Sequence, residues 1–224
     1  MSKATYSVAF LGATGAVGTQ VLQTLLTMPE ITRVTLFGRR EAPDLDPARV
    51  TQHWVDIFQP DTYGDHLDGH DAAICTLGVG EPSKVSREEF IKIDKTAVLD
   101  FARACRAAGV EHFELLASVG INAGSRNFYL RSKGELVEEL KTLNFPRLSI
   151  FQPSMILTPT NRYGLSQGIL LKIWPLLHPL LLGGLKKYRG VRVADLGRAM
   201  ALNIRTDEPG MVAYLTWGDF QNLA

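Results

Sequence analysis

The sequence predicts an α/β domain in which a doubly wound, mostly parallel sheet is followed by a small C-terminal substrate region. An apolar strand, a glycine-rich turn and an amphipathic helix open the chain, and further strands alternate with helices to its end. Strands that are apolar along their whole length are typical of a parallel sheet covered on both faces. The 224 residues carry no linker, repeat or low-complexity tract. We therefore expect one domain over residues 1–224, with an insertion over residues 158–192.

The glycine-rich turn follows the first strand, within Tyr6 to Leu26. Gly12, Gly15 and Gly18 are spaced G-x-x-G-x-x-G. In a dinucleotide site the first glycine permits a tight turn, the second lets backbone approach the pyrophosphate, and the third lets the helix pack on its strand. Free N–H groups at the helix N-terminus then face the phosphate charge. The predicted cofactor-binding residues of this turn are Gly12, Ala13, Thr14, Gly15, Ala16, Val17 and Gly18.

Apolar runs predict six further strands, near residues 34–38, 53–57, 72–77, 113–118, 147–153 and 212–217. Helical periodicity extends from about Arg87 to Ala108, and Gly109 follows at the position that ends many helices. The repeated strand–helix–strand order indicates a nucleotide-binding Rossmann fold.

The end of the second strand indicates the type of cofactor. NAD-selective domains place an acidic residue there to bind the ribose hydroxyls, whereas this chain has Gly38, Arg39 and Arg40. Two guanidinium groups suit a 2′-phosphate, so we expect NADP(H) as the cofactor. We expect the ends of the third and fourth strands to contribute further cofactor contacts, from Asp56, Ile57, Thr76, Leu77 and Gly78.

The predicted catalytic groups follow the fifth strand. Tyr129 and Lys133 are four residues apart and share one face of a helix, and Ser118 ends the preceding strand. A phenol is a poor acid–base catalyst near neutral pH, but a nearby ammonium group favours its phenolate form. A serine hydroxyl can hold the carbonyl or hydroxyl of a substrate. We therefore expect Ser118, Tyr129 and Lys133 to be catalytic, and the last two also to contact the cofactor.

Together, GATGAVG, LFGRR, the strand ending at Ser118 and the element YLRSK resemble the short-chain dehydrogenase/reductase superfamily. They are most similar to its atypical NAD(P)H-binding branch, in particular to the Tat-interactive-protein-like oxidoreductases. The resemblance implies a Rossmann fold, NADP(H) and the catalytic set Ser118, Tyr129 and Lys133. It also implies that the segment after the sixth strand approaches the nicotinamide amide, through Pro153, Ser154, Met155 and Ile156.

One position departs from that family. Many short-chain dehydrogenases have an asparagine on the helix before the fifth strand, where it anchors a proton-relay water, and the matching residue here is Asp94. An ionised carboxylate accepts hydrogen bonds but cannot donate them. Asp94 could pair with Lys133, could hold a water, or could leave the relay incomplete, and the sequence leaves these alternatives open.

Leu165 to Tyr188 form a strongly apolar segment that two prolines and a Gly-Gly pair interrupt. No transmembrane helix is expected, because a spanning helix needs about 20 uninterrupted apolar residues. Three interpretations remain: a wall or lid of an apolar substrate pocket, an oligomer contact, or a membrane-surface element. The basic flank of the last would consist of Lys186, Lys187, Arg189 and Arg192.

Composition restricts the partners and the compartment. The formal net charge of +1 lacks the basic excess of nucleic-acid binders, so no nucleic acid is expected. The two cysteines, Cys75 and Cys105, lie in apolar surroundings that predict buried thiols. Because the first apolar run is already a strand, we expect no signal peptide and a cytoplasmic location. The scattered histidines show no metal-ligand spacing, so no metal is expected.

The sequence therefore predicts an NADP(H)-dependent oxidoreductase that acts on an unidentified carbonyl or alcohol, with an apolar small molecule as substrate. The alternative is a non-catalytic NADP(H)-binding regulator that acts through a protein partner. A homodimer is compatible with either function. A nucleotide-sugar epimerase is disfavoured, because those relatives carry a longer C-terminal domain.

Overall fold

The computed structural model describes residues 4–158, 181–206 and 212–224. Seven strands form the main sheet, and they are β1 (Tyr6–Leu11), β2 (Ile31–Gly38), β3 (Val50–Trp54), β4 (Ala72–Cys75), β5 (His112–Leu116), β6 (Arg147–Phe151) and β9 (Val212–Leu215). A separate parallel pair consists of β7 (Ile156–Leu157) and β8 (Val191–Arg192).

The helices cover both faces of this sheet. They are α1 (Ala16–Thr27), α2 (Arg87–Ile91), α3 (Val98–Ala107), α4 (Phe128–Thr142), α5 (Val193–Asn203) and α6 (Trp217–Leu223). A π-helical turn (Lys92–Ala97) joins α2 to α3. Short 3₁₀ turns cover Pro60–Thr62, Gly64–His66, Pro82–Lys84 and Gly183–Tyr188.

The main sheet is parallel throughout, in the order β3-β2-β1-β4-β5-β6-β9. The chain runs outward from β1 to β3 and then returns to place β4 on the other side of β1. A reversal of this kind opens a crevice at the carboxyl ends of the central strands, where doubly wound sheets bind ligands. The predicted fold class is confirmed, and the predicted site residues that follow β1 and β4 lie at this reversal.

Side chains alternate between two apolar cores along the central strands. In β1, Val8 and Phe10 pack on the α1 and α5 side, whereas Ala9 and Leu11 pack on the α3 and α4 side. All four residues are buried. Burial on both faces explains why the strand is apolar at every position rather than at alternate ones. Gly197 brings α5 against α1, since a Cβ there would overlap Gln20.

The third strand differs from the prediction. It runs over Val50–Trp54 rather than residues 53–57, because β3 is the sheet edge and its exposed face is polar. Val55 and Ile57 lie in the loop that follows, and their side chains are buried. Asp56 therefore does not end a strand. Its carboxylate accepts hydrogen bonds from the Phe58 N–H (3.0 Å) and the Gln59 side-chain amide (2.8 Å).

The predicted helix over Arg87 to Ala108 is confirmed, with the π-helical turn in its middle. Ser86 caps its start by accepting a hydrogen bond from the Glu89 N–H at 3.1 Å. Gly109 follows its end with a φ of +84°, a conformation that glycine adopts without the penalty of a Cβ. Cys75 and Cys105 are buried free thiols, as predicted.

The apolar segment of Leu165 to Tyr188 lies largely outside the described residues. Its described end contains the exposed side chains of Leu182 and Leu185. Of the basic flank, Arg192 is paired with Asp195 at 2.7 Å. No helix in the described ranges is both long and apolar enough to span a membrane.

A buried polar cluster lies near the amino ends of β5 and β6, at the edge of the sheet away from the crevice. Asn203 donates hydrogen bonds to Glu114 (2.7 Å) and to Ser149 (3.1 Å). His112 Nε2 lies 3.0 Å from the Ser149 hydroxyl. Arg147 donates a hydrogen bond to the side-chain oxygen Oδ1 of Asn203 at 2.8 Å. These contacts join α5 to the two strands through polar side chains that are buried, apart from the partly exposed Arg147.

This cluster predicts a pH-dependent stability. Burial, opposed by Asn203 and Arg147, raises the pKa of Glu114 from 4.5 to about 8. Burial and then the Arg147 charge lower the pKa of His112 well below 6.5. Between pH 6.5 and 8 the unfolded state has lost the Glu114 proton that the folded state retains, so the free energy of unfolding falls as pH rises. A difference of one bound proton between the two states lowers the free energy of unfolding by about 2 kcal/mol over that interval.

Below pH 6.5 the unfolded state gains a His112 proton that the folded state does not take up. The His112 and Glu114 contributions to the pH dependence of the free energy of unfolding therefore oppose each other in that range. Urea unfolding from pH 6.5 to 8 measures the Glu114 contribution. Glu114→Gln should remove the decline, and the exposed control Glu111→Gln should retain it. A wild-type slope in Glu114→Gln would contradict this assignment.

Candidate active site

Two adjoining cavities form a cleft along the carboxyl edge of the sheet. The first, of about 320 Å³, lies beside the ends of β1 and β2. The second, of about 650 Å³, lies over the first turn of α1, the loop after β4 and the start of α4. Arg40 and Leu77 line both cavities, so the two form one continuous cleft.

The glycine turn is held by close backbone contacts. Gly12 has a φ of +97°, and a Cβ there would lie 2.7 Å from the Leu77 nitrogen. The Thr76 hydroxyl donates a hydrogen bond to the Gly12 carbonyl at 3.0 Å. A Cβ on Gly18 would overlap that same carbonyl. Side chains at either glycine would therefore push β1, β4 and α1 apart.

The N-terminus of α1 is open toward the cleft. Its cap residue, Gly15, has no side chain with which to cap it, and its first turn contains no acidic residue. Its first residues, Ala16 and Val17, line the larger cavity. Unsatisfied N–H groups and the positive end of the helix dipole favour an anion at this place.

Most predicted cofactor residues line the cleft. Those at the first cavity are Gly12, Ala13, Thr14, Arg39, Arg40, Ile57 and Leu77. Those at the second are Gly15, Ala16, Val17, Arg40, Thr76, Leu77, Gly78, Tyr129, Lys133 and Ile156. These residues come from six separate parts of the chain, and the fold brings them to one edge.

Six predicted residues line neither cavity: Gly18, Asp56, Ser118, Pro153, Ser154 and Met155. Gly18 packs beneath the turn, and Asp56 caps its own loop. The Pro153 carbonyl accepts a hydrogen bond from the Val119 N–H at 3.0 Å, and the Met155 carbonyl accepts one from Val191. Ser118 follows Ala117, which does line the larger cavity.

The turn that contains Arg39 and Arg40, which we call the arginine turn, is supported by a residue that sequence analysis missed. Arg39 and Arg40 are exposed, and within the described ranges neither guanidinium forms an ion pair. The Gln52 amide donates to the Arg40 carbonyl at 3.0 Å and accepts from the Ala42 N–H at 3.1 Å. Gln52 lies opposite Leu36 in the register of β2 and β3, and only that register brings it to the turn.

The catalytic end of the cleft contains a buried ion pair. Tyr129 and Lys133 both line the larger cavity from one face of α4. The Lys133 ammonium lies 2.9 Å from Asp94 Oδ1, and the two side chains are only 4% and 5% exposed. Asp94 Oδ2 accepts a hydrogen bond from the Val79 N–H at 2.8 Å. Of the alternatives for Asp94, the pairing with Lys133 is the one observed.

The π-helical turn contains Asp94. Such turns insert an extra residue into a helix and occur frequently at functional sites. Here the turn directs the carboxylate to Lys133 on α4 and to the loop after β4 at once. Three elements of the cleft therefore share one acidic side chain.

The charge of Lys133 is maintained despite its burial. Desolvation is the largest influence and lowers its pKa, but Asp94 and Tyr129 together outweigh it and raise the pKa of the ammonium group. Lys133 therefore remains protonated across the physiological range.

Comparison with known proteins agrees with this geometry. The model of the NAD(P)H-binding family matches residues 12–142, which is more than half of the chain. This chain belongs to the NAD(P)H-binding family. Protein HTATIP2 of Rattus norvegicus is 37% identical over 153 residues, which cover 67% of this chain and 63% of that protein. The matched region is thus less than two thirds of the rat protein's length.

A fungal relative matches more of the chain. Protein FMP52-1, mitochondrial, of Scheffersomyces stipitis is 30% identical over 194 residues, which cover 84% of this chain and 79% of the relative. These relatives confirm the family resemblance that the motifs indicated.

Solved structures of this NAD(P)H-binding fold include MoeE5 in complex with UDP-glucuronic acid and NAD. It matches with a TM-score of 0.71 at 18% identity, over 93% of this chain and 75% of that one. A mutated uronate dehydrogenase matches with a TM-score of 0.65 at 16% identity, over 94% and 74% of the two chains. At this level of identity the likeness concerns the fold alone.

The prediction of a cytoplasmic location is wrong on this comparison. Four of the fungal relatives are named mitochondrial proteins. The physical reason is that reduced, buried cysteines are equally compatible with any reducing compartment. The residues that form the fold do not specify where it resides.

The Asp94–Lys133 pair predicts a strong coupling in stability. Asp94→Ala leaves an ammonium buried without its partner, which should cost about 3–5 kcal/mol of the free energy of unfolding. Lys133→Met should also destabilise the fold, and the double variant Asp94→Ala/Lys133→Met should lose much less than the sum. Urea unfolding of the four proteins measures the coupling.

The exposed pair of Lys141 and Glu138, 2.8 Å apart, provides the control. Glu138→Ala should cost no more than about 1 kcal/mol. Strictly additive losses at Asp94 and Lys133 would show that the two side chains do not stabilise each other.

Proposed function

We propose that this protein is an NADP(H)-dependent oxidoreductase that transfers a hydride to or from a carbonyl or alcohol, with Tyr129 as the general acid and base. One observation carries the proposal. Tyr129 and the buried Lys133 line a cavity that is continuous with the glycine turn and the arginine turn. A dinucleotide that extends along this cleft from Arg40 would end beside the phenol.

The residues of the cleft fit such a cofactor. The N-terminus of α1 and the backbone of the glycine turn, which lines the cleft at Gly12 and Gly15, suit a pyrophosphate. Arg39 and Arg40, unpaired within the described ranges, suit a 2′-phosphate. When bound, the reduced nicotinamide supplies the hydride that a carbonyl carbon accepts, and the oxidised form accepts it in the reverse reaction.

The side chains at the catalytic end transfer the proton, stabilise charge and orient the substrate. In reduction, the Tyr129 hydroxyl donates its proton to the carbonyl oxygen, and the product is the alcohol. Lys133 supplies the positive charge that stabilises the resulting phenolate. Asp94 acts as a positioning residue, because it holds Lys133 and the loop after β4 in place. We assign to Ser118 the hydrogen bond that orients the substrate oxygen.

The arginine turn predicts cofactor preference. NADPH should bind at least about tenfold more tightly than NADH, since a charge-assisted contact to phosphate contributes about 1.4 kcal/mol or more. Calorimetric titration with both cofactors measures the ratio. The double variant Arg39→Ala/Arg40→Ala should lose the preference, and Arg198→Ala, an exposed arginine on α5, should keep it. Equal affinities in the wild type would exclude the NADP(H) assignment.

Tyr129→Phe tests the proposed chemistry. The substitution removes one hydroxyl and keeps the ring that packs 5.6 Å from Phe90, so folding and NADPH affinity should persist. Turnover, followed by NADPH absorbance across a panel of aldehydes and ketones, should fall about 10²–10⁴-fold. Tyr214→Phe, on the edge strand β9, should leave turnover unchanged. Full activity in Tyr129→Phe would remove this residue from the mechanism.

A second candidate is a non-catalytic NADP(H)-binding regulator that acts through a protein partner. Two observations favour it: Lys133 is engaged by Asp94, and Ser118 does not line the cavity. If the protein is a regulator, Tyr129→Phe should not change its binding to a protein partner, whereas NADPH should change that binding. Turnover that depends on Tyr129 would decide for the oxidoreductase.

A further inference from the structure

A third cavity, of about 320 Å³, adjoins the larger cavity of the cleft, and we refer to it as the side cavity. It shares Pro82, Val85 and Tyr129 with the larger cavity. Its other lining residues are Ser83, Ser86, Arg87, Phe90, Asn127 and Phe128. The volume lies at the lower end of the range of small-molecule sites and suits a group about as large as a substituted benzene ring.

Aromatic rings form one wall of the side cavity. Phe90, which is buried, packs 5.5 Å from Phe128 and 5.6 Å from Tyr129, measured between ring centroids. Each pair is inclined, at 63° and 57° respectively. Such edge-to-face packing holds the rings in fixed orientations. A planar apolar body in the side cavity would therefore meet a preformed surface that ends at the proposed catalytic phenol.

A single cation completes the side cavity. The Arg87 guanidinium lies over the Phe128 ring, 5.1 Å from its centroid, and within the described ranges it forms no ion pair. Lys84, by contrast, is neutralised by Glu81 at 2.8 Å. The neighbouring exposed Glu88 carboxylate is held mainly by its own backbone N–H and by Ser86, and the Arg87 charge acts on it more weakly. Arg87 is thus the cation that lines the side cavity without a contact ion pair in the described ranges.

Asn127 adds hydrogen-bond donors to the rim of the side cavity. Asn127 uses its carbonyl oxygen to accept a hydrogen bond from the Leu130 N–H at 3.1 Å, which leaves its amide N–H groups for other partners. An arginine fork and an amide donor beside an apolar wall are complementary to a carboxylate on a planar body. One monovalent cation matches a carboxylate better than a doubly charged phosphate.

We propose that the side cavity binds the end of the substrate remote from the reacting carbon, and that this end is a planar apolar group bearing a carboxylate held by Arg87. The inference rests on the proposed oxidoreductase function and specifies its substrate class, an aromatic or similarly flat carbonyl acid or hydroxy acid. Arg87 is then a specificity-determining residue, and Phe90 and Phe128 set the plane of the substrate.

Ligand binding tests the proposal independently of turnover. Calorimetry on the protein saturated with NADP⁺ compares 4-methylbenzoate with its neutral analogue 4-methylbenzamide. The carboxylate should bind at least about tenfold more tightly. Arg87→Gln should reduce that ratio to below about threefold, and the exposed control Arg198→Gln should preserve it. Equal affinities in the wild type, or a preference that survives Arg87→Gln, overturn the inference.

Turnover separates this inference from the function on which it rests. With NADPH, 4-formylbenzoate should be reduced with a kcat/KM at least about tenfold above that of 4-methylbenzaldehyde, and Arg87→Gln should remove the difference through KM. Reduction of both aldehydes at equal efficiency overturns the substrate class and leaves the oxidoreductase intact. Carboxylate binding that depends on Arg87, without turnover of either aldehyde, supports the site and counts against the oxidoreductase function.

Discussion

The arrangement of the catalytic end depends on the ion pair between Asp94 and Lys133. A charge in a site with so little solvent is costly unless it is paired and hydrogen-bonded, and here the two groups satisfy each other at 2.9 Å. The second carboxylate oxygen binds the backbone of Val79. The Asp94 side chain thus holds the π-helical turn, α4 and the loop after β4 together. Because Tyr129 lies on α4, these contacts also set its position.

The cofactor end of the cleft is organised by steric constraints rather than by charge. Gly12 packs so closely on the Thr76–Leu77 backbone that a side chain has no room, and Gly18 packs on the Gly12 carbonyl. The arginine turn is held by the Gln52 amide, which leaves both guanidinium groups free of that task. Rigid backbone and unpaired cations are what recognition of a phosphorylated dinucleotide requires.

The two ends of the sheet have different roles. The carboxyl edge carries exposed donors, exposed arginines and open volume, whereas the amino edge carries the buried cluster around Glu114 and His112. That cluster is satisfied mainly by internal hydrogen bonds and couples α5 to β5 and β6. The chain belongs to the NAD(P)H-binding family, but its likeness to the solved structures of MoeE5 and of a mutated uronate dehydrogenase concerns the fold alone. Reaction and substrate must therefore be argued from the side chains of the cleft.

Local patterns in the sequence determined the fold class, the glycine turn, and the helix that ends before Gly109. These features depend on short-range rules, namely apolar periodicity, helix capping and the conformational freedom of glycine. The same rules misplaced β3. This edge strand has a polar outer face, and the apolar residues that follow it belong to a loop although their side chains are buried. Asp56, predicted at the end of this strand, lies instead in the loop after it, where its carboxylate caps its own turn.

Only the tertiary structure decided which distant groups meet. Asp94 and Lys133 are separated by 39 positions, and no sequence spacing distinguishes their pairing from a bound water. Gln52 reaches the arginine turn only through the register of β2 and β3. Arg87 and Phe128 meet because two helix starts converge beside Tyr129. Such contacts depend on how complete elements pack, and packing is a property of the whole chain rather than of any segment of it.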